Sequence, residues 1–579
     1  MNRLRRHVPL ADWLPGYPRG SLVQDAIAGL SVWALVVPQS LAYATLAGVP
    51  VQYGLYTAFA ALVAYALFGR SHQLVQGPSA AVCAVSAAVI TPIVGASALG
   101  SAKAVEYTAA LALVTGVVYL ALGVLRMGWV STFLSKAVMA GFVLGFAIGI
   151  VIDQAHTLLG VEGGGGSYAE ELWNTIEQIP DTQGTTLAVG AGSLGLLLVM
   201  RRLRPRWPRM LIVVTLAIAV SSALDLRSHG VAVTGEVPTG LFSVGVPDVD
   251  VSELFTLFVG ALAVVFVGYS ETLAAARSVA RKHGDEVDAD QELIAQGAAC
   301  GAAGLVGGFA SDGSLSKTSV ADAAGQRSQV ASLINAALIL LTMLLLAGLF
   351  ETLPGATLGA VVIDAMIGLI TLRELRRYFA VNRADWVFAV AAGVGILCLG
   401  ITQGILIGVV LSLLLLVWRS SHTSVRELRP EPSSGVFHDA TRHDSLEPVQ
   451  GVLVARVDGP LFFADADHFR AKVHELTAAR PEVTGVVVDT EAIFLTDTDG
   501  ADILSQVARE LAAREIAIVL AAPHPPVLDL WSRAGVLAAI GDDPVQPTVG
   551  QAVEQLAQRR AARPTSPPTS TPITVTRYS

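Results

Sequence analysis

Residues 22 to 418 are dominated by long apolar runs separated by polar breaks, and this feature restricts the fold more than any other. A bilayer offers no water to satisfy backbone N–H and C=O groups, so such runs must form helices that pair those groups internally. The chain is 53% hydrophobic and 15% charged, against roughly 25% charged in soluble domains. The start, "MNRLRRHVPLADWLPG", has basic residues but no apolar stretch leading to a small-residue cleavage site, so it reads as a retained cytoplasmic segment over residues 1–20 rather than a signal peptide. Cys83, Cys300 and Cys398 fall inside apolar runs without metal-ligand spacing and read as buried small hydrophobes. The net charge of −9 identifies no partner.

About 20 apolar residues cross a bilayer as one helix. Dividing residues 21–419 at glycine, proline and charge breaks gives fourteen segments, starting near Leu22, Val51, Leu74, Ala104, Phe133, Thr185, Met210, Val251, Glu292, Ser316, Gln329, Leu358, Ala384 and Ile401. Lys and Arg concentrate in cytoplasmic loops. With a cytoplasmic N-terminus, the even-numbered loops hold Arg70, Arg126 with Lys136, the run from Arg201 to Arg209, Arg277 with Arg281 and Lys282, Arg327, the cluster from Arg373 to Arg383, and Arg419; the outer loops keep only Lys103 and Arg227. Omitting the polar tenth segment would send the Arg373 to Arg383 cluster outside, so this segment crosses or half-crosses.

Fourteen segments split into two halves of seven, about 21–225 and about 250–419, which must be inverted relative to each other. In transporters built from inverted repeats, interrupted segments at corresponding positions mark the substrate site. The third segment opens with Gly77-Pro78-Ser79 and the tenth with Gly313-Ser314-Leu315-Ser316, as broken helix starts should. Proline in a first helical turn costs no hydrogen bond. The stretch "GGFASDGSLSKTSVAD" superficially resembles a phosphate loop, yet Ser314 stands where a P-loop needs its lysine and Lys317 arrives three residues late. Two helix N-termini facing each other at mid-membrane would instead cradle a small anion with free amides and positive dipole ends.

Over nearly its whole length the chain resembles the SulP, or solute carrier 26, anion transporters. The resemblance rests on "VPQSLAYATLAGVPVQYGLYTAFAALVAYALFG", "QGPSAAV", "GGFASDGSLSKTSVAD" and a STAS-like C-terminal domain. It implies a polytopic helical membrane protein with a seven-plus-seven inverted repeat, core and gate domains, and a homodimer. Carried over residue by residue, it implies an anion site of Gln39, Tyr43, Ser79, Ala80, Ser314, Leu315 and Ser316, the last four of this set other than Ser79 acting partly through backbone amides. Lys317 is expected to join this site as its fixed charge; family members often have arginine at this position, so the charge is kept without a bidentate fork.

Glu271, in "FVGYSETLAAARS", follows an apolar run, and a charge at helix centre costs roughly 2.5–3.5 kcal/mol on insertion scales. Its plain reading is a solvated cap after a helix ending near Tyr269; against it, "TLAAA" continues the helix. The resemblance implies a coupling carboxylate here, and the expectation is a proton carrier that pairs with Lys317 when ionised. Asp153 reads as interfacial, Asp364 as a mark of the gate interface, and His156 has no partner at metal spacing. The functional expectation is secondary transport of a small anion, with sulfate first and a proton as coupling ion, by an elevator-like movement. Bicarbonate or dicarboxylate symport and uncoupled exchange or a channel of the same fold are the alternatives. No cofactor, enzymatic constellation or nucleic-acid site is expected.

Residues 420–449 read as a polar linker, 450–562 as an α/β STAS domain and 563–579 as a disordered tail rich in Pro and Thr. "FLTDTDGADIL" matches the Asp-Ser-Ser-Gly helix start of STAS domains, with Asp499 in place of the phosphorylated serine and Thr498 beside it. Asp499 is expected to be an ordinary helix N-cap.

Overall fold

The computed structural model describes residues 9–562, apart from 134, 162, 164–166, 205–206, 238–239, 371, 401–402, 405–406, 409, 412–413, 416 and 418–423. It divides into two compact units, Met1–Leu413 and Leu414–Ser579. Half of the fourteenth expected segment, from Ile401, together with Arg419 and the tail 563–579, lies outside the described residues.

The first unit contains thirteen helices at the expected segments: α1 Leu22–Leu46, α2 Gln52–Phe68, α3 Ala80–Val94, α4 Ala102–Val124, α5 Lys136–Asp153, α6 Gly184–Leu203, α7 Arg209–Leu224, α8 Leu254–His283, α9 Ala289–Leu305, α10 Leu315–Ala323, α11 Val330–Leu345, α12 Gly355–Leu369 and α13 Arg383–Leu399. Among the described residues, six helical stretches are long and apolar enough to cross a bilayer by themselves. Shorter apolar helices are Gln52–Phe68, Ala80–Val94, Arg209–Leu224 and Val330–Leu345. The inverted repeat shows in the packing: α11 lies on α1 as α4 lies on α8, α11 on α2 as α4 on α9, and α10 on α1 as α3 on α8. These helices form the core domain. In the gate domain α5 packs on α13 and α6 on α12.

Close approach needs glycine at two of these crossings. A Cβ on Gly54 would fall 1.9 Å from the Ser40 carbonyl oxygen, and one on Gly141 1.8 Å from that of Ala389. Two short strands, β1 Gln76–Gly77 and β2 Asp312–Gly313, pair antiparallel with Gln76 opposite Gly313 and Gly77 opposite Asp312. Each strand leads directly into a helix, β1 into α3 and β2 into α10. Since the strands are antiparallel, the two helix starts adjoin while their axes leave in opposite directions. The nine residues of α10 extend about 14 Å, near half of a roughly 30 Å hydrocarbon core.

In the second unit a six-stranded sheet runs in the order β4-β3-β5-β6-β7-β8: β3 Val425–Pro430, β4 Phe437–Asp439, β5 Val452–Val457, β6 Gly485–Asp489, β7 Ala517–Ala521 and β8 Val545–Gln546. Strands β5 to β8 are parallel. The period-2 alternation of a strand divides the core. Leu453, Ala455 and Val457 meet α14 Ala466–Ala478, α15 Thr498–Ala512 and α16 Pro525–Arg533 through Phe469, Leu504 and Trp531. Val452 and Val454 face α17 Val549–Ala561 through Ala552 and Leu556.

Two expectations change here. The stretch expected as a linker, 420–449, contributes β3 and β4, with β3 hydrogen-bonded to β5. Only Val425 and Leu428 of β3 are buried, so its polar, half-exposed positions disguise it as a connector. The cap of α15 is Asp497 rather than Asp499: its Oδ1 accepts from the Gly500 amide at 2.8 Å and its Oδ2 from the Phe463 amide at 3.0 Å. Asp499 lies in the first turn, where a carboxylate meets the positive helix end.

Candidate anion site

The site grows from the β1–β2 pair. Ser79 is the N-cap of α3, and its hydroxyl accepts from the Val82 amide at 3.5 Å. The start of α10 has no such side-chain cap: the Ser314 hydroxyl turns instead to Ser316 Oγ at 3.0 Å. The amides of Leu315, Ser316 and Lys317 have no acceptor among the described residues, nor do those of Ala80 and Ala81. Ser316 is exposed and Leu315 is 50% exposed, so this end is open. An uncapped helix start of this kind is a ready anion receptor.

Gln39 and Tyr43, just after Pro38 within α1, are 4% and 5% exposed. Gln39 Oε1 has no hydrogen-bond partner. Ala80 is 4% exposed at the first turn of α3. Tyr43 interacts electrostatically with Cys83 of α3, Glu271 of α8 and Asp312 of β2. The structure thus brings α1, α3, α8 and α10 together around one point.

Lys317 is 1% exposed. The direct pair expected between Lys317 and Glu271 is not formed. The ammonium donates to the Pro78 carbonyl oxygen, which ties the start of α10 to that of α3. Glu271 instead adjoins Asp312, Lys317 and Ser79 together. The helix does continue past Tyr269, to His283, so Glu271 is no terminal cap.

Asp312 is the residue that sequence reasoning passed over, although it stands in the stretch singled out there. It is fully buried, neither carboxylate oxygen makes a hydrogen bond of good geometry, and its polar neighbours are Glu271, Ser79 and Lys317. A Cβ on Gly268 of α8 would lie 3.4 Å from Asp312 Cβ, and Glu271 is one turn further along the same helix face. An acidic residue next to a mid-membrane glycine was the available signal.

A buried polar network holds this geometry. The Gly313 amide donates to Thr272 Oγ1 at 2.9 Å, and Thr272 Oγ1 donates to Gln296 Oε1 at 3.3 Å. Gln76 Nε2 donates to the same Gln296 oxygen at 2.8 Å. The Val75 amide donates to Thr318 Oγ1 at 3.1 Å. Both lead-in strands are therefore anchored to α8, α9 and α10.

The remaining polar candidates lie elsewhere. Asp364 of α12 is buried, and its Oδ2 accepts from Arg209 Nε at 3.1 Å while Arg201 Nη1 stands 3.7 Å from Oδ1. That clamp joins α6, α7 and α12 within the gate. Asp153 accepts from Gln154 Nε2 at 2.9 Å, and His156 Nδ1 stands 3.4 Å from Glu171. Cys83 and Cys300 are buried as expected, whereas Cys398 is exposed on α13.

Residues 22–392 match the model of the sulfate permease family, and 445–552 match the STAS domain. The chain belongs to the sulfate permease family. It is 34% identical over 557 residues to a Mycobacterium tuberculosis protein named a probable sulfate transporter, covering 95% of this chain and 99% of that one. It is 30% identical to human sulfate anion transporter 1 over 614 residues, covering 92% and 87%. Among solved structures, the murine solute carrier 26 family member A9 anion transporter in its inward-facing state superposes with a TM-score of 0.89 at 24% identity, over 96% of this chain and 95% of that one. The transmembrane domain of a cyanobacterial bicarbonate transporter gives 0.58 at 22% identity, over 67% and 97%. The sulfate permease assignment makes this chain a multi-pass membrane anion transporter, not an enzyme.

Proposed function

We propose that this sulfate permease is a proton-coupled sulfate symporter that carries the anion between the N-termini of α3 and α10. The observation that supports this most is the uncapped start of α10, with three unpartnered amides beside the buried Lys317. Gln39, Tyr43, Ser79, Ala80, Ser314, Leu315 and Ser316 line the anion. Sulfate is favoured by the names of the mycobacterial and human relatives. Glu271 is the proton carrier, since its Oε2 is buried without a donor and protonation of the adjoining carboxyl pair would supply one. The core domain moves against the gate in an elevator-like step, in a homodimer in the cell membrane with both termini cytoplasmic.

The test is labelled sulfate uptake into proteoliposomes under an inward proton gradient, with bicarbonate, chloride and fumarate as competitors. Acceleration by the gradient, and its loss in Glu271→Gln, is the expected result. Sulfate exchange indifferent to pH, a sodium requirement, or preferential displacement by another of these anions would overturn the reading.

A further inference from the structure

The anion site holds one more carboxylate than a single-proton symport requires. Asp312 is fully buried with two oxygens that make no hydrogen bond of good geometry, and Glu271 Oε2 is a third such carboxylate oxygen nearby. The titratable groups around Asp312 come from every element packed on it: Tyr43 of α1, Cys83 of α3, Tyr119 of α4, Glu271 of α8, Cys300 of α9 and Lys317 of α10. Lys317 is the cation among these.

Charge bookkeeping follows directly. In the form that returns empty, once both protons have been released, Lys317 offsets one of the two carboxylates and the site keeps one net negative charge. Sulfate would add two more in a water-poor interior, where uncompensated charge is costly. A single proton still leaves the loaded site more negative than the empty one. Two protons, one on each carboxyl, return it to its starting charge. Each protonated carboxyl would also gain an O–H donor, whereas the ionised pair offers only acceptors.

Building on the symport reading above, we infer that Asp312 is a second proton-binding residue, so that each sulfate enters with two protons and the moving core carries the same net charge loaded as empty. Asp312 and Glu271 hold one proton each on the inward step and release both when sulfate leaves.

The experiment counts protons and sulfate together. Full-length protein in proteoliposomes is loaded with a pH-sensitive dye, labelled sulfate is added outside, and the voltage is clamped with potassium and valinomycin. The wild type is expected to take up about two protons per sulfate, at a rate unchanged by an inside-negative clamp. Asp312→Asn should drop the ratio to about one and make uptake slower under that clamp; Asp312→Glu should restore a ratio of two. Should Asp312→Asn fail to fold, Asp312→Ser, which also removes the carboxyl, takes its place, with a ratio near one expected and a ratio of two overturning the inference. A wild-type ratio near one overturns this inference alone, while absence of proton-stimulated sulfate uptake overturns the symport reading with it. A ratio of two that Asp312→Asn leaves unchanged also overturns it.

Discussion

Thr272 accepts the Gly313 amide at 2.9 Å and passes its own hydroxyl proton toward Gln296 at 3.3 Å, which couples the middle of α8 to the strand that opens α10. Glu271 precedes Thr272 and Asp312 precedes Gly313, so this one hydrogen bond holds the two carboxyls in register. Thr272→Val keeps the volume but leaves a buried amide unpaired, which costs about 1–3 kcal/mol. We expect a lower thermal midpoint in detergent together with a weakened proton dependence of uptake, and recovery of both with Thr272→Ser.

Lys317 donates to the Pro78 carbonyl oxygen, and on the proposed reading it also supplies the site's fixed positive charge. Lys317→Met should weaken sulfate binding at least tenfold, about 1.4 kcal/mol, as read by isothermal titration. Lys317→Arg keeps charge and reach with a different fork, and retention of more than half the affinity is the expected outcome.

The gate clamp makes a separate prediction about stability. Asp364 is buried between Arg201 and Arg209, at 3.7 Å and 3.0 Å. Asp364 is sealed while both arginines are partly exposed, and stranding a buried charge typically costs about 3–5 kcal/mol. Arg209→Leu, which leaves the carboxylate only Arg201 at 3.7 Å, should lower the thermal midpoint sharply, and combining it with Asp364→Ala should recover part of that loss.

At the crossing of α1 and α2 there is no room for a methyl group, because a Cβ on Gly54 would meet backbone at 1.9 Å. Overpacking typically costs about 1–3 kcal/mol. Gly54→Ala should reduce monodisperse protein in size-exclusion chromatography, while Gly192→Ala, whose Cβ would meet nothing within 4 Å, should behave as wild type.

Acid should loosen the STAS unit through Glu510. Hydrogen bonds from Arg470, His474 and Gln506 hold its carboxyl at about 2, below the ordinary 4.5. A depressed folded value means that the stabilisation is complete above about 4.5 and fades as pH falls to about 2. Following hydrogen exchange of α15 in the full chain over that window should show rising exchange in the wild type and a flatter profile in Glu510→Gln.

Much of this architecture is legible in the sequence because bilayer thickness and charge parity act on whole segments. The starts expected at Leu22, Val51 and Thr185 lie within one residue of α1, α2 and α6. The paired breaks at Gly77-Pro78-Ser79 and Gly313-Ser314 were legible because small polar residues interrupt apolar runs at matching places in the two halves. Details that depend on distant partners were not. Nothing local shows that Asp312 packs on Gly268, or that Lys317 turns to a carbonyl rather than to Glu271. Strand β3 escaped because just two of its six residues are buried, too few for an apolar alternation.

The pairing of β1 with β2 also bears on how the protein is made. Val75 and Thr318, joined by one of its flanking hydrogen bonds, are 243 residues apart in the chain. At about 5–20 residues per second, the ribosome needs roughly 10 to 50 s to deliver the second half. Throughout that interval the amides and carbonyls of Gln76 and Gly77 lack their permanent partners inside the membrane. The first half must wait in an unfinished state that chaperones or proteases can recognise. Substitutions that slow the arrival or docking of α10 would therefore show first as lost protein, before any change in transport is measured.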